Sequence, residues 1–298
     1  MVKLDRFDSG LYVDWKKVFW FSGHALIAAV CAVYTFSWGT AAVFALLSGV
    51  TLCLGHSVGV HRLMIHRSFE VPLGVERTLV YLGSLVGMAG PLELLRAHYE
   101  RDRMQRAPEC HNYFCHQGTL AQDFAYNFFC GFRLPPATSP PAENRASNDG
   151  FIRLLEASGR AQQSALALGL YRVGGWPWVV WGVAGRIVVG VFGHWLVAYC
   201  CHHGGDRPHV VPGAGVQGSN HLLLGVLSFG EGFHNNHHAF PDSAQMGIER
   251  WEFDLGWWCV LALERLGLAS GVKRPRMVSS QSSRKLETWD LHRPSALP

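Results

Sequence analysis

Apolar residues gather along this chain in runs long enough to cross a bilayer, separated by polar stretches. A spanning helix needs about 20 mostly apolar residues. The run Val18–Trp38 meets that length and Gly39–Gly59 meets it again, which predicts a helical hairpin turning near Ser37, Trp38 and Gly39. The run Leu73–Gly90 is apolar but short and holds Glu76, Arg77 and several glycines. It reads as a helix lying at or dipping into the interface, with a third full span as the alternative. Residues 92–160 are polar by comparison, and RLPPATSPPAENRASNDG (133–150) reads as a loop. A second hairpin is predicted over 164–181 and 186–201, its first half interrupted by Arg172, Gly174, Gly175 and Pro177. Trp176, Trp178 and Trp181 suit an interfacial anchor, and Arg186 is expected to snorkel towards the far headgroups. Beyond Gly267 the sequence is a polar tail. The pattern predicts one domain over 1–298: an all-α integral membrane protein with four transmembrane helices in two hairpins. A helical cap from 60–163 and 202–298 completes it.

Composition fits that class. Of 298 residues, 49% are hydrophobic and 16% charged, apolar enough for a membrane protein yet too polar to be all span. A net charge of +4 suits a protein resting against anionic lipid. Lys and Arg are dispersed, with no basic stripe interleaved with aromatics, so nucleic acid is not an expected partner. The eight cysteines include no C-x-x-C pair, and several lie in apolar runs, so they read as free thiols. The N-terminal MVKLDRFDSG lacks the apolar stretch and cleavage site of a secretory signal.

The chemistry lies in the histidines. Residues 230–241 read GEGFHNNHHAFP, where His234, His237 and His238 stand at i, i+3 and i+4, so their imidazoles can converge on a single point. Imidazole is a good donor to iron, copper, zinc and nickel, and a run this dense points to a metal site; a histidine-rich loop is the bland alternative. Upstream, GVHRLMIHRSFE (59–70) carries His61 and His66, whose directions on an ideal α-helix lie about 140° apart. Between them, LLRAHYERDRMQRAPECHNYFCH (94–116) holds His98 and Asp102 at i, i+4, then His111. Eight of the 16 histidines fall in these stretches.

HRLMIHRSFE, the His98 segment and GEGFHNNHHAFP resemble the first, second and third histidine boxes of the membrane-bound acyl-CoA and acyl-lipid desaturases. HWLVAYCCH (194–202) resembles that family's additional histidine segment, and the resemblance runs from about Gly39 to about Gly267. It implies a non-haem centre of two iron ions that removes two hydrogens from a fatty acyl chain with dioxygen. The implied ligands are His61, His66, His98, His202, His234, His237 and His238. The second box departs from the family's H-x-x-H-H: here HYERD places Arg101 and Asp102 where two histidines are expected. A guanidinium stays protonated and cannot ligate iron. Asp102 could supply a carboxylate instead, His111 or His116 could fold back to make up the number, or Arg101 and Asp102 could simply pair with each other or with neighbouring charges. Ala198 stands where related desaturases tend to have an asparagine that holds a metal-bound water.

Four spans would put every cluster on one side of the bilayer. Lys3, Arg6, Lys16 and Lys17, with Lys273, Arg274 and Arg276, place that side and both termini in the cytoplasm by the positive-inside rule. No flavin, nicotinamide or haem-attachment fingerprint is present, so an external donor is expected, such as a ferredoxin or a small cytochrome with its reductase. The expected substrate is a long acyl chain on CoA, a carrier protein or a lipid, entering a tunnel where Gly83, Ser84, Gly87 and Ala89 leave space or merely pack helices. Glu231, Asn235, Asn236 and Asp242 are candidates to orient the ligands; His24 and His56 read as packing residues, and His194, about 12 Å along a helix from His202, stands too far away to share its iron without a bend. A hydroxylase or other oxygenase on the same scaffold, or a lipid-binding protein with a degenerate second box, are the rival readings.

Overall fold

The computed structural model describes residues 10–133 and 141–275. Expectations that fall on 134–140, on Lys3 and Arg6, and on the tail from Arg276 lie outside the described residues. Helix α1 (Trp15–Cys31) begins where the Asp14 carboxylate accepts from the N–H groups of Lys16 and Lys17. Helix α2 (Trp38–Gly49) begins with a reciprocal cap between Ser37 and Thr40. That cap fixes the turn before Trp38, so the hairpin turns over 32–37, earlier than the apolar run suggested. After Gly49 the helix continues unbroken in wide π-helical turns (Val50–Ile65), making one apolar helix of 28 residues, Trp38–Ile65.

Helix α3 (Leu73–Ser84) lies against this π-helical stretch through facing glycines. A Cβ on Gly55 would sit 2.3 Å from the Gly83 nitrogen, and one on Gly83 would sit 2.8 Å from the Gly55 carbonyl oxygen. Gly83 is thus a packing contact, whereas Gly87 and Ala89 border a cavity. Because the obstacle at Gly55 is backbone, Gly55→Ala must push the two helices apart. It is expected to cost about 1–3 kcal/mol, read as a lower melting temperature of the purified protein.

The second hairpin turns elsewhere than the sequence suggested. Helix α9 (Gln162–Val179) breaks at Gly175 (φ +67°), passes through π-helical turns (Val180–Gly185) and continues as α10 (Arg186–His203). A Cβ on Gly182 would touch Leu170, a contact that is possible only if the chain folds back between them. The left-handed glycine and Pro177, which lacks an N–H, set the reversal there, and 182–185 stays helical. Arg186 is not at the headgroups. It is buried, donating to the Leu85 and Gly182 carbonyls and to the Gln163 side chain, so neutral acceptors hold it inside the bundle.

Among the described residues, two helical stretches are long and apolar enough to cross a membrane, Trp38–Ile65 and Gly150–His203. The 17 residues of α1 fall just short. Phe19, Leu26, Val30, Leu46, Leu168 and Val189 are exposed on these helices, as lipid-facing residues would be.

The helices of the regions expected to form the cap are α4 (Pro91–Arg106), α5 (Asn112–Cys115), α6 (Leu120–Phe129), α7 (Pro141–Asn148), α8 (Gly150–Ser158), α11 (Leu222–Leu227), α12 (His234–Ala239) and α13 (Leu255–Arg265). Helix α7 occupies part of the expected proline-rich loop, its proline falling at the first turn where a missing N–H costs nothing. The fold is not wholly α. Strands β1 (Leu11–Val13) and β2 (Cys130–Phe132) pair antiparallel with Leu11 opposite Phe132, tying the start of the described chain to the cap.

Candidate metal centre

The π-helical stretch explains the five-residue spacing of the first box. Its i→i+5 hydrogen bonds, such as His66 N–H to the His61 carbonyl at 3.1 Å, bring residues five apart onto one face. His56, His61 and His66 therefore form a column, with ring centroids 6.4 Å and then 4.8 Å apart. The 140° offset of an α-helix does not apply here.

Two groups of imidazoles result. His61 and His66 meet His98 from α4 and His237 from α12, with their candidate donor atoms all within 4.8 Å of one another. His202, at the end of α10, meets His234 and His238 from α12 in the same way. The three histidines of GEGFHNNHHAFP thus do not converge on one point. Helix α12 stands between the two groups and gives His237 to one, His234 and His238 to the other.

The nitrogens suit a metal. In the first group His66 Nε2 and His98 Nε2 lie 2.9 Å apart; in the second, His234 Nε2 and His238 Nε2 lie 3.0 Å apart. Ligand bonds of about 2.1 Å at right angles would put two nitrogens about 3 Å apart. His61 Nε2, His202 Nε2 and His237 Nδ1 are buried with no hydrogen-bond partner, a cost that a metal would remove. Burial drives the pKa of His66, His234 and His237 well below the usual imidazole value, and that of His238 down to about 4, so these rings are neutral donors near pH 7.

Outer partners orient two of the rings. His61 Nδ1 contacts the Glu231 carboxylate at 2.5 Å, and the Ser57 hydroxyl donates to the same carboxylate at 2.6 Å. His202 Nδ1 lies 2.6 Å from the Ala198 carbonyl oxygen and donates its proton there, which leaves Nε2 facing inward. Glu231→Gln keeps the size but removes the charge that steadies His61. It is expected to weaken metal binding at the first group by about 10–100-fold, measured as metal retained against a chelator. Asn235 and Asn236 have another task. Their buried amides bind His209, Gly218, Asn220, Met246 and Glu252 and fix the loops around α12.

The second box is the irregular one. Asp102 Oδ2 stands 3.4 Å from His98 Nε2, the nitrogen that also faces His66. Arg101 does not pair with Asp102. Its Nε is buried without a partner, and its side chain lines the cavities beside the histidines. His111 lies apart from both groups: its Nδ1 accepts from the Tyr113 N–H at 3.0 Å, capping α5, and its ring packs on Phe132. His116 lies closer, its ring 5.5 Å from that of His202, with Nδ1 on Asp123 at 3.0 Å and Nε2 buried without a partner.

Two cavities border the histidines. One of about 420 Å³ is lined by Leu52, Val60, Val189 and Leu196 together with His61, His98, His202 and His234. The other, of about 270 Å³, is lined by Trp20, Gly87, Ala89, Tyr113 and Phe128. Leu94, Ala97, Arg101, His194 and Ala198 border both. His56, read from sequence as a packing residue, and His194, set aside for its distance from His202, lie with ring centroids 4.9 Å apart and both line the larger cavity. The i, i+5, i+10 spacing of His56, His61 and His66 was the available signal for His56; nothing local marked His194.

The chain is similar to known proteins over most of its length. The chain is 37% identical over 268 residues to the sn-1 stearoyl-lipid 9-desaturase of Anabaena variabilis, covering 88% of this chain and 94% of that protein. It is 33% identical over 265 residues to the icosanoyl-CoA 5-desaturase of Limnanthes douglasii, covering 87% and 71%. It is 32% identical over 263 residues to the acyl-CoA C20 Delta5-desaturase of Anemone leveillei, covering 86% and 80%. No family model matches the chain.

Proposed function

Since this chain belongs to the fatty acyl desaturase family, we propose that it desaturates a long acyl chain at a pair of iron ions held by its two histidine groups. The observation that carries the reading is the gathering of seven imidazoles from four separate segments into two groups beside an apolar cavity. His61, His66, His98 and His237 would hold one iron, with Asp102 as a carboxylate donor suggested by its place beside His98 Nε2. His202, His234 and His238 would hold the other. Bound iron with dioxygen supplies the oxidising power needed at an unactivated C–H bond, which no side chain has.

The rest falls to the chain's own residues. Glu231 holds the His61 ring and Ala198 O holds His202, so both present Nε2 inward. Apolar walls from the π-helical stretch Val50–Ile65, α10 and α11 keep water from the reacting carbons and leave room for an acyl chain. Its carrier would be CoA, a carrier protein or a lipid, and electrons would come from a ferredoxin or a small cytochrome with its reductase.

In the membrane we propose four crossings. These are α1, Trp38–Ile65, and the two arms of the hairpin that reverses at Gly175, with the histidine groups and both termini on the cytoplasmic side. The pairing of β1 with β2 supports it, since it joins the segment before α1 to the cap. Fatty acid profiling of a desaturase-free host expressing the chain tests the activity. A new olefin supports the reading, an alcohol indicates an oxygenase, and an unchanged profile with a supplied electron donor counts against both.

A further inference from the structure

We propose that the two metal positions bind with unequal affinity, and that Arg101 is the residue that weakens the one at His202, His234 and His238. The inference rests on the metal reading above and concerns how this chain departs from an even pair of sites.

The two groups have different surroundings. The first has four imidazoles, the Asp102 carboxylate 3.4 Å from His98 Nε2, and the Glu231 carboxylate 2.5 Å from His61 Nδ1. Two carboxylates therefore face a bound cation there, although the buried Arg62 guanidinium, 4.0 Å from Glu231 Oε1, offsets part of their charge. The second has three imidazoles, and the outer partner of His202 is a neutral carbonyl. Position 198 adds only a methyl group to this side of the cavity.

Arg101 borders that same cavity together with His202 and His234, and it has no hydrogen bond or ion pair among the described residues. Asp123, the carboxylate on this side, makes no ion pair with it: Asp123 Oδ1 faces His116 Nδ1 at 3.0 Å, Trp195 Nε1 at 2.7 Å and the Asn127 amide at 3.1 Å. An unpaired, half-buried cation in a mostly apolar cavity repels a second cation more than it would at an open surface. Asp102 stands 3.4 Å from a nitrogen of the first group and also lines the shared cavity, so its charge reaches both positions, whereas Arg101 supplies neither with a donor.

The test is Fe²⁺ binding without substrate or turnover. Full-length protein in detergent, stripped with a chelator, is dialysed anaerobically against graded Fe²⁺, and iron per chain is counted by mass spectrometry. A two-step isotherm is expected, with dissociation constants at least about tenfold apart, the scale on which outer partners alter metal affinity. His61→Ala should remove the tight step and leave the weak one. Arg101→Gln should tighten the weak step about tenfold or more without moving the tight one. Arg101→Lys, which keeps the charge, should leave both steps in place, and Arg101→Met serves if the glutamine variant does not fold. Two equal sites, or a weak step that neither neutral variant moves, would overturn the inference while leaving the desaturase reading standing. Absence of iron binding at either step would overturn the metal reading, and this inference with it.

Discussion

His237→Ala is expected to abolish double-bond formation and to empty the position shared by His61, His66 and His98, leaving the His202 position able to bind metal. His237 is buried, its Nδ1 has no other partner, and its ring stands 4.7 Å from those of both His61 and His66. Losing a donor should cost more than the roughly 10–100-fold that follows loss of an outer partner. His238→Ala should also abolish turnover, but with the opposite pattern of metal loss, because His238 stands with His234 and His202. Adjacent residues on one short helix would thus affect different metal positions. Iron content and fatty acid profile, measured on both variants, check the split. His203→Ala is the control, since His203 is exposed and bonds only the Tyr199 and Gly118 carbonyls. Full activity in His238→Ala would remove the two-position reading.

Much of this site was legible because histidine is conspicuous and its spacing is short-range. His234, His237 and His238 could be placed on one helix from i, i+3, i+4 alone. Their division between two positions could not, because it depends on which other segments arrive from either side. The π-helical winding of 50–65 was hidden for a different reason. An apolar run has the same composition in either winding, and only the i→i+5 bonds distinguish them, so His61 and His66 looked poorly aligned when they are not. The hairpin at Gly175 shows the limit of hydropathy. The apolar run carried the expected turn to 181–186, whereas the backbone turns at the glycine that accepts a left-handed conformation. Arg186 was read from its charge as an interface residue, but Leu85, Gly182 and Gln163, distant in sequence or on the preceding turn, supply the acceptors that hold it inside. His111 and His116, five residues apart in one segment, were equivalent candidates on paper. Tyr113 and Phe132 draw one away, and Asp123 sets the other beside His202.

The largest loss of stability is expected from Asp254→Ala, which removes the charged partner of a buried guanidinium next to His61, a proposed metal ligand. Arg62 follows His61 in sequence and is fully buried, and its Nη2 lies 2.9 Å from Asp254 Oδ1. The same carboxylate caps α13 by accepting from the Trp257 N–H at 2.8 Å, and it accepts from the Met246 and Gly247 N–H groups at 2.9 and 3.0 Å. Nothing larger than glycine fits around the pair: a Cβ on Gly230 would lie 2.2 Å from Asp254 Oδ1, and one on Gly256 would lie 2.6 Å from Arg62 Nη1. Arg62 Nε and Nη1 already lack partners, so once the carboxylate goes the guanidinium keeps only the Phe229 carbonyl at 3.2 Å and the Glu231 carboxylate at 4.0 Å, both reached through Nη2. Breaking a buried pair from one side costs about 3–5 kcal/mol. For a domain of this size that corresponds to a melting temperature lower by roughly 10 °C. Because Gly230 opens the segment that carries Glu231, His234, His237 and His238, the damage should reach the metal positions, and the variant should lose iron at temperatures where the parent keeps it. Asp254→Asn, which retains one oxygen and the shape but not the charge, should fall between the two. A melting temperature for Asp254→Ala within a degree or two of the parent would mean that Arg62 finds another acceptor, and that the third histidine segment is held in place by the packing around α13 instead.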